Sequence, residues 1–141
     1  MSIPPHLRLE FVTPERSIAH EDVDEVGIPG EEGSFGVLPG HAPLLAALRT
    51  GEVWYRQGST RVYAFVAGGF AEVLPDRVTI LSPIAERAED IDIQRAEAAK
   101  RRAEEHLSQP VVADVDLEAA RRAMMRALAR LHVSQQHRHR G

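Results

Sequence analysis

Residues 52–81 read EVWYRQGSTRVYAFVAGGFAEVLPDRVTIL, and their punctuation decides the fold. Glu52–Arg56 and Arg61–Val66 are rich in β-branched and aromatic side chains, which suit a pleated, half-buried surface. Between them Gln57-Gly58-Ser59 is a hairpin signal. Gly69–Leu74 and Arg77–Leu81 flank Pro75-Asp76, a second such signal. Working outward, His6–Thr13 alternates, with Leu7, Leu9 and Phe11 on one face, and Pro14 stops it. Asp22–Ile28 is a further strand, ended by Pro29-Gly30. Short strands with turns about every eight to twelve residues predict a sandwich or flattened barrel. Two packed sheets give each alternating strand a face to bury.

After Arg87 the composition changes. All seven aromatic residues, nine of the ten glycines and eight of the nine prolines precede that point. The first part carries net charge −5 and the remainder +1, and eleven of the last 54 residues are alanine. Alanine, glutamate and arginine favour helix. One helix is marked by Ala96, Ala99, Ala103 and Leu107, the next by Leu117, Ala120, Met124, Leu128 and Leu131, at spacings of three and four. Asp90, and Asp114 or Asp116, are candidate N-caps. Ser108-Gln109-Pro110 ends the first helix, because proline cannot continue it. The expected class is therefore α+β. A flattened β-sandwich or barrel of short strands occupies residues 1–87, and an antiparallel two-helix hairpin occupies 88–141, with a disordered tail from about 134. The first helix has a thin stripe of alanine, and burying a methyl returns far less than burying a leucine at roughly 25 cal/mol per Å². Weak docking of such a hairpin permits a second position.

With 141 residues there is room for one small domain and an appendage. No apolar run approaches the roughly 20 residues of a membrane span. Met1–Arg8 lacks a signal pattern, and no Arg/Ser-rich transit segment is present. Cysteine is absent, which removes disulfides and thiolate metal sites. A net charge of −4 argues against nucleic acid as the main partner.

Gly33–Leu44, with glycines at 33, 36 and 40 and prolines at 39 and 43, reads as a rigid, turn-rich connection. It is no phosphate loop, since no Gly-Lys-Ser or Gly-Lys-Thr follows. His41 has no nucleophile or metal-ligand partner at a suggestive spacing. His137 and His139 on a tail make a poor metal site, and a solvated basic end is the simpler reading. Arg122, Arg126 and Arg130 recur at i,i+4 beside Arg121. They form either a solvated face or a surface for an anionic partner. Nothing assembles a catalytic constellation, so an interaction module is favoured over a small enzyme.

Four segments in register then carry a family resemblance. Gly33–Leu44, read G-x-x-G-x-L-P-G-H-A-P-L, resembles the signature loop of F-type ATP synthase epsilon subunits. Arg61–Val73 resembles the family's paired strands around a Gly-Gly. Ile91–Ala96 with Ala99–Ala103 resembles the start of its helical part, and Arg126–Val133 its last helix. The resemblance spans residues 5 to 133 and is to the bacterial form of the family.

It implies a non-catalytic central-stalk subunit that couples rotation to proton transport and inhibits ATP hydrolysis through its C-terminal helices. The implied partners are the gamma subunit, the c-subunit ring and, when the arm is extended, the alpha and beta catalytic subunits. The implied location is peripheral, on the cytoplasmic side of the bacterial inner membrane. Glu31, Glu32, Ser34 and His41 become candidates for the ring-facing surface, and Arg121, Arg122, Arg126 and Arg130 for an inhibitory basic face. No cofactor is required, but some members bind ATP as a regulatory ligand that holds the arm folded. Ile91, Asp92, Arg95 and Ala96 match that motif, and Glu86, Arg102, Arg126 and Arg130 stand where further contacts are implied. The alternative is a free-standing nucleotide-binding regulator outside any rotary motor.

Overall fold

A computed structural model describes residues 2–110 and 113–140. Eight strands come first: β1 Leu7–Val12, β2 Ser17–Val23, β3 Glu25–Gly30, β4 Gly33–Val37, β5 Leu44–Gln57, β6 Thr60–Leu74, β7 Arg77–Leu81 and β8 Ala85–Arg87. A 3₁₀ turn at Ala88–Asp90 leads to helices α1 Ile93–Leu107 and α2 Asp114–Arg140. The α+β class is as the sequence indicates: a β-sandwich followed by two helices.

The strand order is β2-β1-β7-β6-β5-β3-β4, with β8 on β6. All pairs are antiparallel except β1 with β7. Both hairpin signals mark real turns. Gln57 pairs with Thr60 around Gly58, and Leu74 with Arg77 around Pro75-Asp76.

What reads as two strands, 61–66 and 69–74, is one. β6 runs unbroken and changes sheets at Gly68-Gly69 (φ +79° and +121°). Before that corner it pairs with β8, and after it with β7. Its partner β5 spans both layers too, so these two strands join the faces of the sandwich. The corner is braced by the buried Ser82, whose Oγ lies 2.8 Å from the Gly68 and Ile84 carbonyl oxygens.

Two further expectations need correcting. Asp22–Ile28 is not one strand, since a bend at Asp24 separates β2 from β3. Asp24 accepts from Gly58 N–H at 2.6 Å and so ties that bend to the β5–β6 turn. This bond, with His6 and Arg56 beside it, holds the Asp24 carboxyl below the usual carboxylate range. Gly33–Val37 is not merely a turn-rich connection. It is strand β4, paired with β3 along its length, because a peptide can join a ladder without an apolar side chain.

Leu7, Leu9, Phe11, Val26, Ile28, Val53, Tyr55, Val66, Val73 and Ile80 fill the space between the layers. A second, smaller cluster lies outside it and joins the helices to the sandwich: Tyr63, Phe65, Ala88, Ile91 and Val133.

The two helices pack against one another. Ala96 and Ala103 are buried on α1, and Ala120 and Ala127 on α2. Each pair is two turns apart, so small side chains form a seam along which the helices approach. Ser108 caps the end of α1, where Ser108-Gln109-Pro110 stops it. The start differs from expectation: Asp92, not Asp90, is the N-cap, accepting from Arg95 N at 3.0 Å. Asp90 lies in the preceding 3₁₀ turn, and Asp114 and Asp116 lie in the first turn of α2. Leu128 is exposed although it falls on the expected stripe, because α2 packs on two sides, against α1 and against the sandwich.

Nor does the tail from 134 lose its structure at that point. α2 continues through Arg140, anchored by buried Val133 and Ser134 and composed of residues with adequate helix propensity. Gly141 and the side chains of His139 and Arg140 lie outside the described residues.

Candidate functional site

Where β8 leads into α1, a cleft of about 670 Å³ opens between the sandwich and the helices. Glu86, Asp92, Arg95, Ala96, Arg102 and Arg130 all line it. Two of the candidate ATP-binding residues do not. Ile91 turns into the apolar cluster with Phe65 and Val133, and Arg126 lies on α2 outside the cleft lining.

The positions follow from local chemistry. β8 pairs Glu86 with Phe65 of β6 and so fixes it at the sandwich edge. Arg130 of α2 donates to Glu86 Oε1 at 2.5 Å, and its guanidinium carbon sits 4.4 Å from the Phe65 ring centre. That combines a charge-assisted hydrogen bond with a cation–π contact. Arg95 and Arg102 are seven residues apart, hence two turns along one face of α1. Between them Ala96 and Ala99 leave the floor open. Asp92 is occupied as the helix cap, a structural duty its motif does not disclose.

The turn between β1 and β2 supplies Thr13, Glu15 and Arg16 to the cleft. Sequence reasoning misses them, since only the turn residues Thr13-Pro14 mark the place and the contact is long-range. The assembled cations are Arg16, Arg95, Arg102 and Arg130, facing the carboxylates Glu15, Glu86 and Asp92. Such a site can pair guanidinium forks with phosphate oxygens and offer acceptors to a ligand's donors.

The supposed basic face is divided. Arg121 and Arg122 are exposed and lie 3.5 Å and 4.0 Å from Glu118, pairs of little energetic consequence at a surface. Arg126 is half-buried. Arg130 points inward to Glu86, so it does not share a solvent face with Arg122. The loop candidates stand near β4. Glu31 and Glu32 form the exposed β3–β4 turn, and Ser34 Oγ accepts from Arg49 Nη2 at 2.6 Å. His41 Nδ1 lies 2.7 Å from Ala42 O, with its ring centre 6.5 Å from that of Phe35.

On the other side of α2 a second cleft of about 720 Å³ is walled by Trp54, Met125, Leu128 and His132. At its base Glu52 Oε2, itself buried, lies 3.3 Å from His132 Nε2. Burial pushes the Glu52 carboxyl up, while His132, Gln136 and Arg61 pull it back in part. A raised acid favours the folded state most when protonated. Its stability share is full below the ordinary glutamate range and is lost as pH rises through the raised value. Glu52→Gln, which never ionises, should therefore raise the melting temperature by roughly 2–4 °C at pH 8. That gain should close by about pH 4. Melts at both pH values test this, and an equal gain at both would exclude ionisation as the cause.

With the geometry in place, two family descriptions match the chain, together over residues 6–135. "ATP synthase, Delta/Epsilon chain, beta-sandwich domain" covers residues 6–88, and the "long alpha-helix domain" of the same chain covers 89–135. The chain belongs to the ATP synthase epsilon family. Among curated relatives, the ATP synthase epsilon chain of Nitratidesulfovibrio vulgaris (strain DP4) is 52% identical over 127 residues, 90% of this chain and 94% of that one. That of Syntrophobacter fumaroxidans is 49% identical over 129 residues, 92% of this chain and 96% of that one. Among solved structures, a chain of the Euglena gracilis mitochondrial ATP synthase superposes with a TM-score of 0.82 at 24% identity, covering 92% of this chain and 81% of that chain. At that identity the likeness speaks for the epsilon fold alone. The free-standing regulator has no support from these relatives. Among the described residues no helix is long and apolar enough to cross a membrane.

Proposed function

We propose that this epsilon subunit is a non-catalytic part of the central stalk, with a sandwich that docks on the rotor and a helical pair that restrains ATP hydrolysis. The observation that carries the reading is the slenderness of the latch between them. α2 meets the sandwich through a small apolar cluster around Val133 and two ion pairs, Arg130–Glu86 and His132–Glu52, while the sandwich keeps its own separate core. Two positions of the arm are then close in free energy.

For the rotor side, Leu45, Phe70 and Leu81 lie on one outward face of β5, β6 and β7, at 72%, 58% and 52% exposure. A contiguous apolar patch on a soluble protein is a docking surface. The gamma subunit is the partner proposed there, and the Glu31–His41 region is proposed to face the c ring. The arm, extended, would reach the alpha and beta subunits. The subunit would thus lie peripherally on the cytoplasmic side of the bacterial inner membrane. The cleft is proposed to take ATP, as a regulatory ligand that favours the folded arm. Its guanidinium groups and carboxylates suit the phosphates and the adenine amino group respectively.

The test is ATP hydrolysis by an epsilon-depleted complex from the same source. Adding back the full chain should lower the rate. A chain stopped after Arg87 should bind without lowering it. Failure of both to bind would remove the stalk assignment, and equal inhibition by both would remove the arm.

A further inference from the structure

Building on the nucleotide reading above, we propose that Arg16 is a phosphate-binding residue of the cleft, and the one through which a bound polyphosphate holds the helices on the sandwich. A ligand shifts a two-state equilibrium only by its difference in affinity for the two states. Arg95, Arg102 and Arg130 all belong to the helices. A polyphosphate held by them alone ties α1 to α2 but makes no bond to the sandwich. To hold the arm down it must also bind the sandwich.

From that side, among the described residues, the charged side chains lining the cleft are Glu15, Arg16 and Glu86. The two carboxylates repel phosphate. Arg16 is the cation that attracts it. Hydrogen bonds within the β1–β2 turn brace its backbone. Thr13 Oγ1 accepts from the N–H groups of Glu15 and Arg16 at 3.3 Å and 3.1 Å. Thr13 N–H donates to Arg16 O at 2.9 Å. The side chain is less committed. It is 49% exposed, and its ion pair with Asp90 is long, at 4.0 Å. Redirecting it toward a phosphate therefore sacrifices little, since exposed pairs contribute little. A guanidinium fork on phosphate gains considerably more.

The experiment is calorimetry on the full chain at low salt with ATP and, separately, inorganic tripolyphosphate. Amide exchange across α2 is measured with and without ligand. Arg16→Ala should weaken both ligands by about tenfold or more, the effect of one charge-assisted hydrogen-bonding partner. Arg16→Lys should fall between, and Arg77→Ala, at the far end of β7, should change nothing. The diagnostic readout is coupling. Saturating tripolyphosphate should slow exchange in α2 of the unaltered chain and leave it unchanged in Arg16→Ala. Affinity within about twofold of the unaltered chain, or a full slowing of exchange in Arg16→Ala, overturns the role of Arg16 while leaving the nucleotide reading intact. Arg16-dependent binding of tripolyphosphate without binding of ATP upholds Arg16 and removes the nucleotide. Binding of neither probe at millimolar concentration overturns both.

Discussion

Gly69→Ala is expected to destabilise the sandwich severely. The backbone there has φ +121°, a region that side-chain-bearing residues rarely adopt. A Cβ added to it would lie 2.1 Å from Leu81 O and 2.9 Å from Ser82 Cα, both backbone atoms. Neither can swing aside as a flexible side chain would. Relief requires β6 and β7 to part where Phe70 pairs with Leu81, and the corner that carries β6 between layers would open with them. Strain of about 1–3 kcal/mol then adds to lost ladder hydrogen bonds of about 1 kcal/mol each. A loss beyond about 4 kcal/mol is expected, against a total of about 5–15 kcal/mol for a domain. Gly58→Ala supplies the contrast. Its φ is +60°, but nothing lies within 4 Å of the added atom, so only the conformational cost of about 1 kcal/mol remains. Urea titrations of the two variants separate clash from conformational preference. A Gly69→Ala midpoint equal to that of Gly58→Ala would refute the steric argument.

The same corner shows why strand edges in the sequence are poor guides. Gly68-Gly69 reads as the end of one strand and the start of another, because glycine usually weakens a strand. Here it lets one strand serve two layers. The hairpins at Gly58 and Pro75-Asp76 were legible because turn chemistry is local. So was the division between strands and helices, because composition integrates over many residues. β4 was not legible, since Gly33, Ser34 and Gly36 carry no apolar alternation and the strand exists through its partner β3. At the site, Glu86, Asp92, Arg95, Ala96, Arg102 and Arg130 entered through family likeness rather than residue pattern, and the fold brings them into one cleft. Arg130 illustrates the limit. Helical spacing placed it with Arg122 and Arg126, but spacing says nothing of which face a neighbour covers, and Glu86 turns it inward. Arg16 was invisible for the same reason, standing far along the chain from every other cation of the cleft.

Val133→Asp is expected to release α2 from the sandwich without unfolding the sandwich itself. Val133 is fully buried between Tyr63, Phe65, Ala88 and Ile91. The one cation beside the cluster, Arg130 over Phe65, is already paired with Glu86, so a carboxylate there is poorly compensated, and a buried charge of that kind costs several kcal/mol, about 3–5 in mutational experience. Burial of the valine contributes only about 1.5–3 kcal/mol in the first place. The substitution thus converts a modest attraction into a larger penalty, and leaving the sandwich is the cheapest escape. Arg130 and Glu86 would part and find water, at little loss for each. The sandwich core is a separate set of side chains, from Leu7 to Ala85, and contains no residue of α2. Amide exchange should accordingly accelerate through α2 while β1, β5 and β7 keep their protection. Trp54, the single tryptophan, packs against the same cluster, so its emission should shift toward that of a solvated indole. Loss of protection in both parts together would show one cooperative unit, and an arm with two positions would no longer follow. With only α2 affected, the restraint proposed for the arm predicts slower ATP hydrolysis by a complex bearing this variant than by one with the unaltered chain.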